Sequence, residues 1–220
     1  HVDLSPDGGA ARLIETNDAL ESLLAVLPNL ITLKLCRLDF PIDKAIIRAA
    51  HLYAHLEVVD FRFVASLSGA TIETIARECC SLRSIKFAFG YMQGLRDVSA
   101  IAALSCCVSR TLSEVTIERF NSCIASADGK DGVESDGNSA LIDLLRCHGS
   151  NLRLLSLPGW PLTEVLTAEV ANCCPGLQHL NIDDPAKLCE PPDGVTPDCL
   201  ASLAGGCPCL RALSLHEAWR

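Results

Sequence analysis

The residues with the most evident capacity for chemistry in this sequence are its 13 cysteines. Six of them form three vicinal pairs, Cys79-Cys80, Cys106-Cys107 and Cys173-Cys174. Neither these pairs nor Cys207-Pro-Cys209 has the CxxC…CxxC spacing of a zinc site, and an odd number argues against a secreted disulfide framework. We therefore expect free thiols that pack as small hydrophobic side chains in a reducing intracellular compartment, with no metal and no other cofactor.

The histidines give no stronger indication of a reactive site. His51 and His55 are four residues apart, but the glutamate of an HExxH motif is missing and the helix is expected to end near His51, which favours satisfied or exposed imidazoles. Cys147 and His148 are adjacent, so on a helix their side chains point apart. The sequence has no GxSxG, P-loop or GxGxxG motif, and the run at 128–138 lacks calcium-loop spacing. We expect no catalytic residues. An enzyme or enzyme activator is the alternative from a different class of function.

The elements that must position these residues are copies of one short unit. The template Leu-x-x-Leu-x-Leu, with Ile, Val or Phe allowed at each position, matches seven times. The matches begin at Leu30, Leu56, Leu82, Leu112, Leu152, Leu177 and Leu210. Three of the intervals are 25 or 26 residues long, and the longer ones contain insertions. Those near 121–138 and 183–194 are rich in Gly, Asp, Ser or Pro and are predicted to be loops.

Each repeat predicts one strand and one helix. The alternating Leu-x-Leu segment is typical of a strand of about four residues, and the segments between strands carry apolar residues at helical spacing. The clearest helix is Thr196 to Gly205, with Thr196 as its cap and Pro197 in its first turn. Its predicted apolar face is Leu200, Leu203 and Ala204. Equivalent faces are Ile46/Ala49/Ala50, Ile72/Ile75/Ala76, Val98/Ile101/Leu104, Leu141/Leu144/Leu145 and Val170/Ala171, the last after the cap candidate Thr163.

The first helix is predicted from Leu20, Leu23, Leu24 and Leu27, with Asp18 as its cap candidate. Val2 and Leu4 precede Leu33 and Leu35 by about one repeat, so the sequence is expected to begin inside a strand. One strand and one helix cannot bury their own apolar faces, whereas stacked copies can. We predict one α/β solenoid domain over 1–220, a right-handed β-α horseshoe with its parallel sheet on the concave side and its helices on the convex side. Because solenoids need polar end caps, we expect a longer chain or partners that cover the ends.

The repeat phrase resembles a known family. The phrase C-P-x-L-x-x-L-x-(Ile/Leu) occurs at 174–182 and 207–215, and Val195-Thr196, Leu200, Leu203, Ala204 and Cys207 match the order between copies. This pattern resembles the cysteine-containing leucine-rich repeats of F-box/leucine-rich-repeat proteins and of related ribonuclease-inhibitor-like folds, over residues 18–217. Only three of the seven repeats have the cysteine three residues before the first Leu. The other four have Leu27, Tyr53, Ser109 and Gly149 there, and residues 1–29 do not contain an F-box.

The resemblance implies a non-catalytic protein-binding module, in its narrowest form the substrate-recognition part of an F-box-type ubiquitin ligase adaptor. The alternative is a structural subunit of a large assembly, axonemal or organellar. A net charge of −9 without clustered Lys and Arg excludes nucleic acid and anionic membranes as expected partners. No apolar run approaches the roughly 18 residues of a membrane helix. Residues 1–15 lack the apolar core of a signal peptide, so we expect the cytoplasm, with an organelle or axoneme as alternatives.

Two rows of strand residues should face the concave side. The middle row is Lys34, Asp60, Lys86, Thr116, Ser156, Asn181 and Ser214. The flanking row is Cys36, Arg62, Ala88, Glu118, Pro158, Asp183 and His216. From these we select as candidate partner-binding residues Lys34, Asp60, Arg62, Lys86, Glu118, Asn181, Asp183 and His216. The alternative is an ordinary solvated sheet face with binding through loops or ends, and Trp160 and Trp219 either anchor an interface or pack between repeats.

Overall fold

Short strands alternate with helices along the whole chain. The computed structural model describes residues 1–4, 16–64, 67–89, 99–119, 132–160, 163–182 and 196–215. The strands are β1 (Val2–Asp3), β2 (Thr32–Lys34), β3 (Val58–Phe61), β4 (Ser84–Phe89), β5 (Glu114–Arg119), β6 (Leu154–Ser156), β7 (His179–Ile182) and β8 (Ala212–Leu215). The helices are α1 (Asn17–Ala25), α2 (Asp43–Ala49), α3 (Gly69–Glu78), α4 (Ser99–Ser105), α5 (Gly132–His148), α6 (Glu164–Cys173) and α7 (Pro197–Gly206). Single 3₁₀ turns follow α2 at Ala50–Leu52 and α5 at Gly149–Asn151.

The eight strands form one parallel sheet in the order in which they occur in the sequence. Val2 is paired with Leu33, which confirms the strand predicted around Val2. The central apolar residue of each later repeat occupies one row of the register: Leu33, Val59, Ile85, Val115, Leu155, Leu180 and Leu213. Six of these side chains are at most 1% exposed, whereas Leu213, on the edge strand β8, is 39% exposed. The predicted α/β solenoid with a continuous apolar spine is therefore confirmed.

The helices cover one face of the sheet, and each described helix contacts the next along the chain. Parallel strands lie about 4.8 Å apart, whereas packed helices need about 8–10 Å. Stacking repeats of unequal width bends the layer so that the sheet lies on the inside. The buried helical residues include the predicted Ile46, Ile72, Ile75, Leu144 and Val170.

The position three residues before the first Leu of each repeat joins that repeat to the preceding one. Three side chains at this position donate to a backbone carbonyl of the preceding repeat: Tyr53 to Leu24 (3.0 Å), Ser109 to Leu82 (2.6 Å) and Cys207 to Val170 (3.8 Å). At Gly149 a Cβ would lie 2.7 Å from the Cys173 oxygen and 2.9 Å from the Cys174 sulfur. The space available limits which residue fits at this position, and Tyr, Ser and Cys can each satisfy a buried carbonyl there.

Polar side chains in the first turns of helices cap the helix of the following repeat. The Asn17 oxygen accepts the Ala45 N–H at 3.1 Å in α2. One Asp43 carboxylate oxygen accepts the Ser68 N–H at 2.9 Å and also the hydroxyl of Thr71. These contacts satisfy N–H groups that a helix N-terminus leaves unpaired, and they fix the spacing of neighbouring repeats.

Three predictions about the helices need correction. The cap of α1 is Thr16, whose Oγ1 accepts the Ala19 N–H at 3.2 Å, so Asp18 lies in the first turn and contributes there by its charge. The run 121–138 is not wholly a loop, because α5 begins at Gly132. Ala204 is exposed, and the buried residues of α7 are Cys199 and Leu203, because α7 packs on α6 and no described helix covers its opposite side.

The caps predicted at the other helices are confirmed. Thr163 accepts the Leu166 N–H at 3.2 Å, and Thr196 accepts the Cys199 N–H at 3.3 Å. Helix α7 extends one residue beyond the predicted Gly205, to Gly206. A Cβ at Gly206 would lie 2.3 Å from the Ala171 oxygen, so glycine permits the close approach of α7 to α6.

Candidate functional site: the concave face of the sheet

Two full rows of strand residues in register form the concave face, and Ala88 and Glu118 are the paired part of the flanking row. The predicted middle row is confirmed, since Lys34, Asp60, Lys86, Thr116, Ser156, Asn181 and Ser214 are successive partners. Sequence reasoning missed a third row two residues earlier: Thr32, Val58, Ser84, Glu114, Leu154, His179 and Ala212. The period of two along each strand places this row on the same face, and that signal was present in the sequence.

Asp60, Arg62 and Glu118 form an ionic cluster at the N-terminal side of this face. The Arg62 guanidinium donates from Nε to Asp60 Oδ1 at 3.0 Å and from Nη2 to Asp60 Oδ2 at 2.8 Å. Its Nη1 donates to Glu118 Oε1 at 3.2 Å. Ala88 stands opposite Glu118 on the strand between them, so the arginine crosses a strand at a residue whose side chain is too small to obstruct it. The two-pronged geometry is the strong form of an arginine–carboxylate pair.

The electrostatics of the ionic cluster follow from burial and pairing. The Asp60 side chain is only 6% exposed, and that of Arg62 is 32% exposed. Burial raises the pKa of Asp60, but the hydrogen bonds and charge of Arg62 outweigh it, so the pKa lies below its usual range. Asp60 in turn raises the pKa of Arg62 by hydrogen bonding. Asp60, one of the predicted partner-binding residues, is therefore a nearly buried counter-charge for Arg62.

The flanking thiol Cys36 lies against this cluster. Its Sγ is 3.8 Å from the backbone oxygen of Asp60. Burial, together with the negative charge of Asp60, raises the pKa of Cys36 to about 12. The thiol is therefore protonated at neutral pH and is a poor nucleophile.

The two lysines of the middle row differ in their surroundings. Lys34 forms an ion pair with Asp3 of β1, with 3.2 Å between Nζ and Oδ2. Lys86 is half-buried and forms no ion pair with any residue in the described ranges. Asp60 is the register neighbour of Lys86 on β3, but its carboxylate is already bound by Arg62 and is not free to pair with Lys86.

A groove of about 400 Å³ runs along the C-terminal part of the concave face. Its lining combines residues of all three rows with core residues at its base: Arg62, Lys86, Thr116, Glu118, Leu154, Leu155, Ser156, Pro158, His179, Leu180, Asn181, Ala212 and Ser214. We call Lys86, Thr116 and Ser156, which are in register on β4, β5 and β6, the donor row. Asn181 donates from Nδ2 to Ser156 Oγ at 3.2 Å. The structure therefore brings Lys86, Arg62, Glu118 and Asn181 of the predicted residues together around one groove.

The remaining predicted residues fall elsewhere. Asp183, His216 and Trp219 lie outside the described residues. Trp160 is 5% exposed and its Nε1 donates to the Ile117 oxygen at 3.0 Å, so it packs between repeats and does not anchor an interface. Cys147 is exposed while His148 is buried, as expected of neighbours on a helix. Burial lowers the pKa of His148, although hydrogen bonds to the backbone of Leu104 and Ser105 oppose this.

The cysteines of the described residues are free thiols. In each vicinal pair one thiol is buried, namely Cys79, Cys107 or Cys174, and its neighbour is more exposed. His51 and His55 are both exposed. Within the described ranges, no three His, Cys, Asp or Glu side chains are grouped so that they could hold a metal ion. No helix in those ranges combines the length and the apolar character required to cross a bilayer.

The comparisons with known proteins give limited information. No protein-family model matches this chain, and none of the curated proteins matches it in sequence. A similar solved structure is the crystal structure of the Rad7 and Elc1 complex in yeast, with a TM-score of 0.42 and 16% identity. The alignment covers 100% of this chain and 65% of that chain, so this chain spans less than two thirds of its length. At this TM-score the likeness carries no argument, and the fold assignment depends on the strand order and register described above.

Proposed function

We propose that this chain is a non-catalytic recognition module that binds a protein partner in the groove of its concave face. The observation that carries the proposal is the groove itself, where Lys86, the hydroxyls of Thr116 and Ser156, and the partly buried Leu154 line one surface. Polar groups around a partly apolar surface are typical of protein-binding sites. The raised pKa of Cys36 and the divergence of Cys147 and His148 support the absence of a nucleophilic centre among these residues.

The narrower form of the proposal is the substrate-recognition part of an F-box-type ubiquitin ligase adaptor. Its support is the resemblance of the repeats around Cys79, Cys174 and Cys207 to cysteine-containing leucine-rich repeats. All three cysteines are buried at the equivalent position of their repeats. Binding of the full-length protein to a ubiquitin ligase core in a reconstituted complex tests this narrower form. Stoichiometric co-purification with one permanent assembly would instead favour a structural subunit.

The proposed concave-face function is tested by filling the groove. Ser156→Trp places a large side chain on its floor, and we expect loss of partner capture by the tagged protein, measured by quantitative mass spectrometry. Ser22→Trp is the matched control, because Ser22 is exposed on α1 and lies outside the groove lining. Both variants should retain the cooperative melting of the parent chain. If Ser156→Trp captures the same proteins in the same amounts as the control, the concave face is not the binding surface.

A further inference from the structure

Lys86 brings to the edge of the groove a positive charge that has no ion-pair partner among the described residues. Its register neighbours are Asp60 on β3 and Thr116 on β5. Both Asp60 carboxylate oxygens are engaged by Arg62, and within the described residues Lys86 makes no ion pair. A half-buried ammonium without an ion-pair partner can form a charge-assisted hydrogen bond with an anion that a partner supplies.

Two hydroxyl groups, which can also donate hydrogen bonds, follow Lys86 across the sheet. Thr116 and Ser156 follow Lys86 in register, at the strand spacing of about 4.8 Å. Ser156 Oγ accepts the Asn181 amide, which leaves its own hydrogen for another acceptor. Thr116 makes no side-chain hydrogen bond to a described residue. The donor row therefore offers one ammonium and two hydroxyls to an acceptor-only group, and an ionised carboxylate is such a group.

The surrounding charges select a singly charged anion. The ionic cluster has two carboxylates and one guanidinium, so it keeps one excess negative charge beside Lys86 without forming an ion pair with it. Glu118 lies two residues beyond Thr116 on β5 and also lines the groove. A doubly charged phosphate would bring a second negative charge towards Glu118, whereas a carboxylate brings only one.

Apolar groups lie beside the donor row. Leu154 precedes Ser156 by two residues on β6, so it lies on the same face. Pro158 follows Ser156 by two residues and also lines the groove. Both are only partly buried. An occupant that reaches the donor row from along the groove also covers this surface, and an apolar side chain next to its acidic one would gain from that contact.

We propose that the groove recognises an Asp or Glu side chain, with an apolar neighbour, in an extended segment of the partner protein, and that Lys86, Thr116 and Ser156 hold the carboxylate. The proposal rests on the proposed function of the concave face and adds the chemistry of the occupant. In this proposal the ionic cluster forms a wall of the site, and the donor row binds the carboxylate.

The test is a selection of random 12-residue peptides on the purified chain, followed by fluorescence anisotropy of the enriched peptides. We expect enriched peptides to share an acidic residue beside an apolar one. Lys86→Gln should weaken their binding about tenfold to a hundredfold, the effect of losing a charge-assisted hydrogen bond. Thr116→Val should weaken it by a smaller factor. Lys34→Gln is the matched control, since Lys34 belongs to the same row but lies outside the groove, and it should leave binding unchanged.

A double-mutant cycle identifies the contact. The acidic residue of the peptide is changed to its amide, and this change should have little further effect on the Lys86→Gln variant if the two groups interact. Binding that is lost in Ser156→Trp but is unchanged in Lys86→Gln would overturn acidic recognition while leaving concave-face binding intact. Peptides that still bind Ser156→Trp, or a selection that enriches none, would overturn both proposals.

Discussion

The ionic cluster and the donor row are adjacent parts of one sheet face, but they satisfy their charges in opposite ways. Arg62 is ion-paired with both Asp60 and Glu118 across three strands, at distances of 2.8 to 3.2 Å. In the donor row, Lys86 lacks an ion pair and Thr116 lacks a side-chain hydrogen bond among the described residues. A charged side chain on the concave face is therefore not by itself evidence of a binding contact. What distinguishes the two regions is whether the chain supplies the counter-charge itself.

The largest expected effect comes from removing Arg62. Arg62→Met leaves the Asp60 carboxylate buried without its counter-charge, and we expect the free energy of unfolding to fall by about 2–4 kcal/mol. Denaturant unfolding of the purified chain measures this change. The double variant Asp60→Asn/Arg62→Met should recover most of the loss, because no unpaired charge is left. A loss below about 0.5 kcal/mol for Arg62→Met would show that the cluster does not contribute to stability.

A smaller effect on stability is expected from a larger side chain at Ala88, over which Arg62 reaches Glu118. Ala88 is 6% exposed and stands between them in register, so Ala88→Leu should displace the guanidinium and destabilise the chain by about 1–2 kcal/mol. In a double-mutant cycle, Glu118→Gln should then cost less in the Ala88→Leu background than in the parent chain. Additive effects of the two substitutions would mean that Arg62 still reaches Glu118.

The pH dependence of stability provides a third test of the ionic cluster. The pKa of folded Asp60 is lowered, so its contribution is present above the unfolded value of about 3.9 and is lost as the pH falls through the folded value. Between pH 5 and pH 3, the Asp60→Asn variant should therefore lose less thermal stability than the parent chain, measured by circular dichroism. Equal losses in both proteins would mean that Asp60 does not have a lowered pKa.

The smallest effect on stability is expected in the donor row. Lys86→Gln removes a charge that has no partner among the described residues, so the free energy of unfolding should change by less than about 0.5 kcal/mol. Chemical denaturation beside Arg62→Met gives this comparison directly. A loss as large as that of Arg62→Met would show that Lys86 is part of a stabilising network, contrary to the difference drawn between the two regions.

The fold could be predicted from the sequence, because each repeat contains both a strand and one residue of the continuous apolar spine. Leu33, Val59 and Ile85 recur at a fixed place in each unit, and stacking follows from the need to bury them. The middle row of the concave face follows from the same period. The capping of α1 was harder to predict, because Thr16 and Asp18 are both good capping residues two positions apart.

Pairing on the concave face could not be read from the sequence. Arg62 and Glu118 are 56 residues apart, and their contact depends on the register of three strands and on the small side chain of Ala88. The burial of Asp60 depends on the same arrangement. The rows were thus predictable from periodicity, whereas the division between paired and unpaired charges required the positions of the side chains.

The most direct measurement compares Arg62→Gln and Lys86→Gln in the same two assays, unfolding in denaturant and binding of the acidic peptide by anisotropy. The account predicts that Arg62→Gln lowers stability by at least about 2 kcal/mol. It also predicts that Lys86→Gln leaves stability unchanged and weakens binding at least tenfold. A Lys86→Gln variant that binds the peptide as tightly as the parent chain would contradict the assignment of recognition to the donor row.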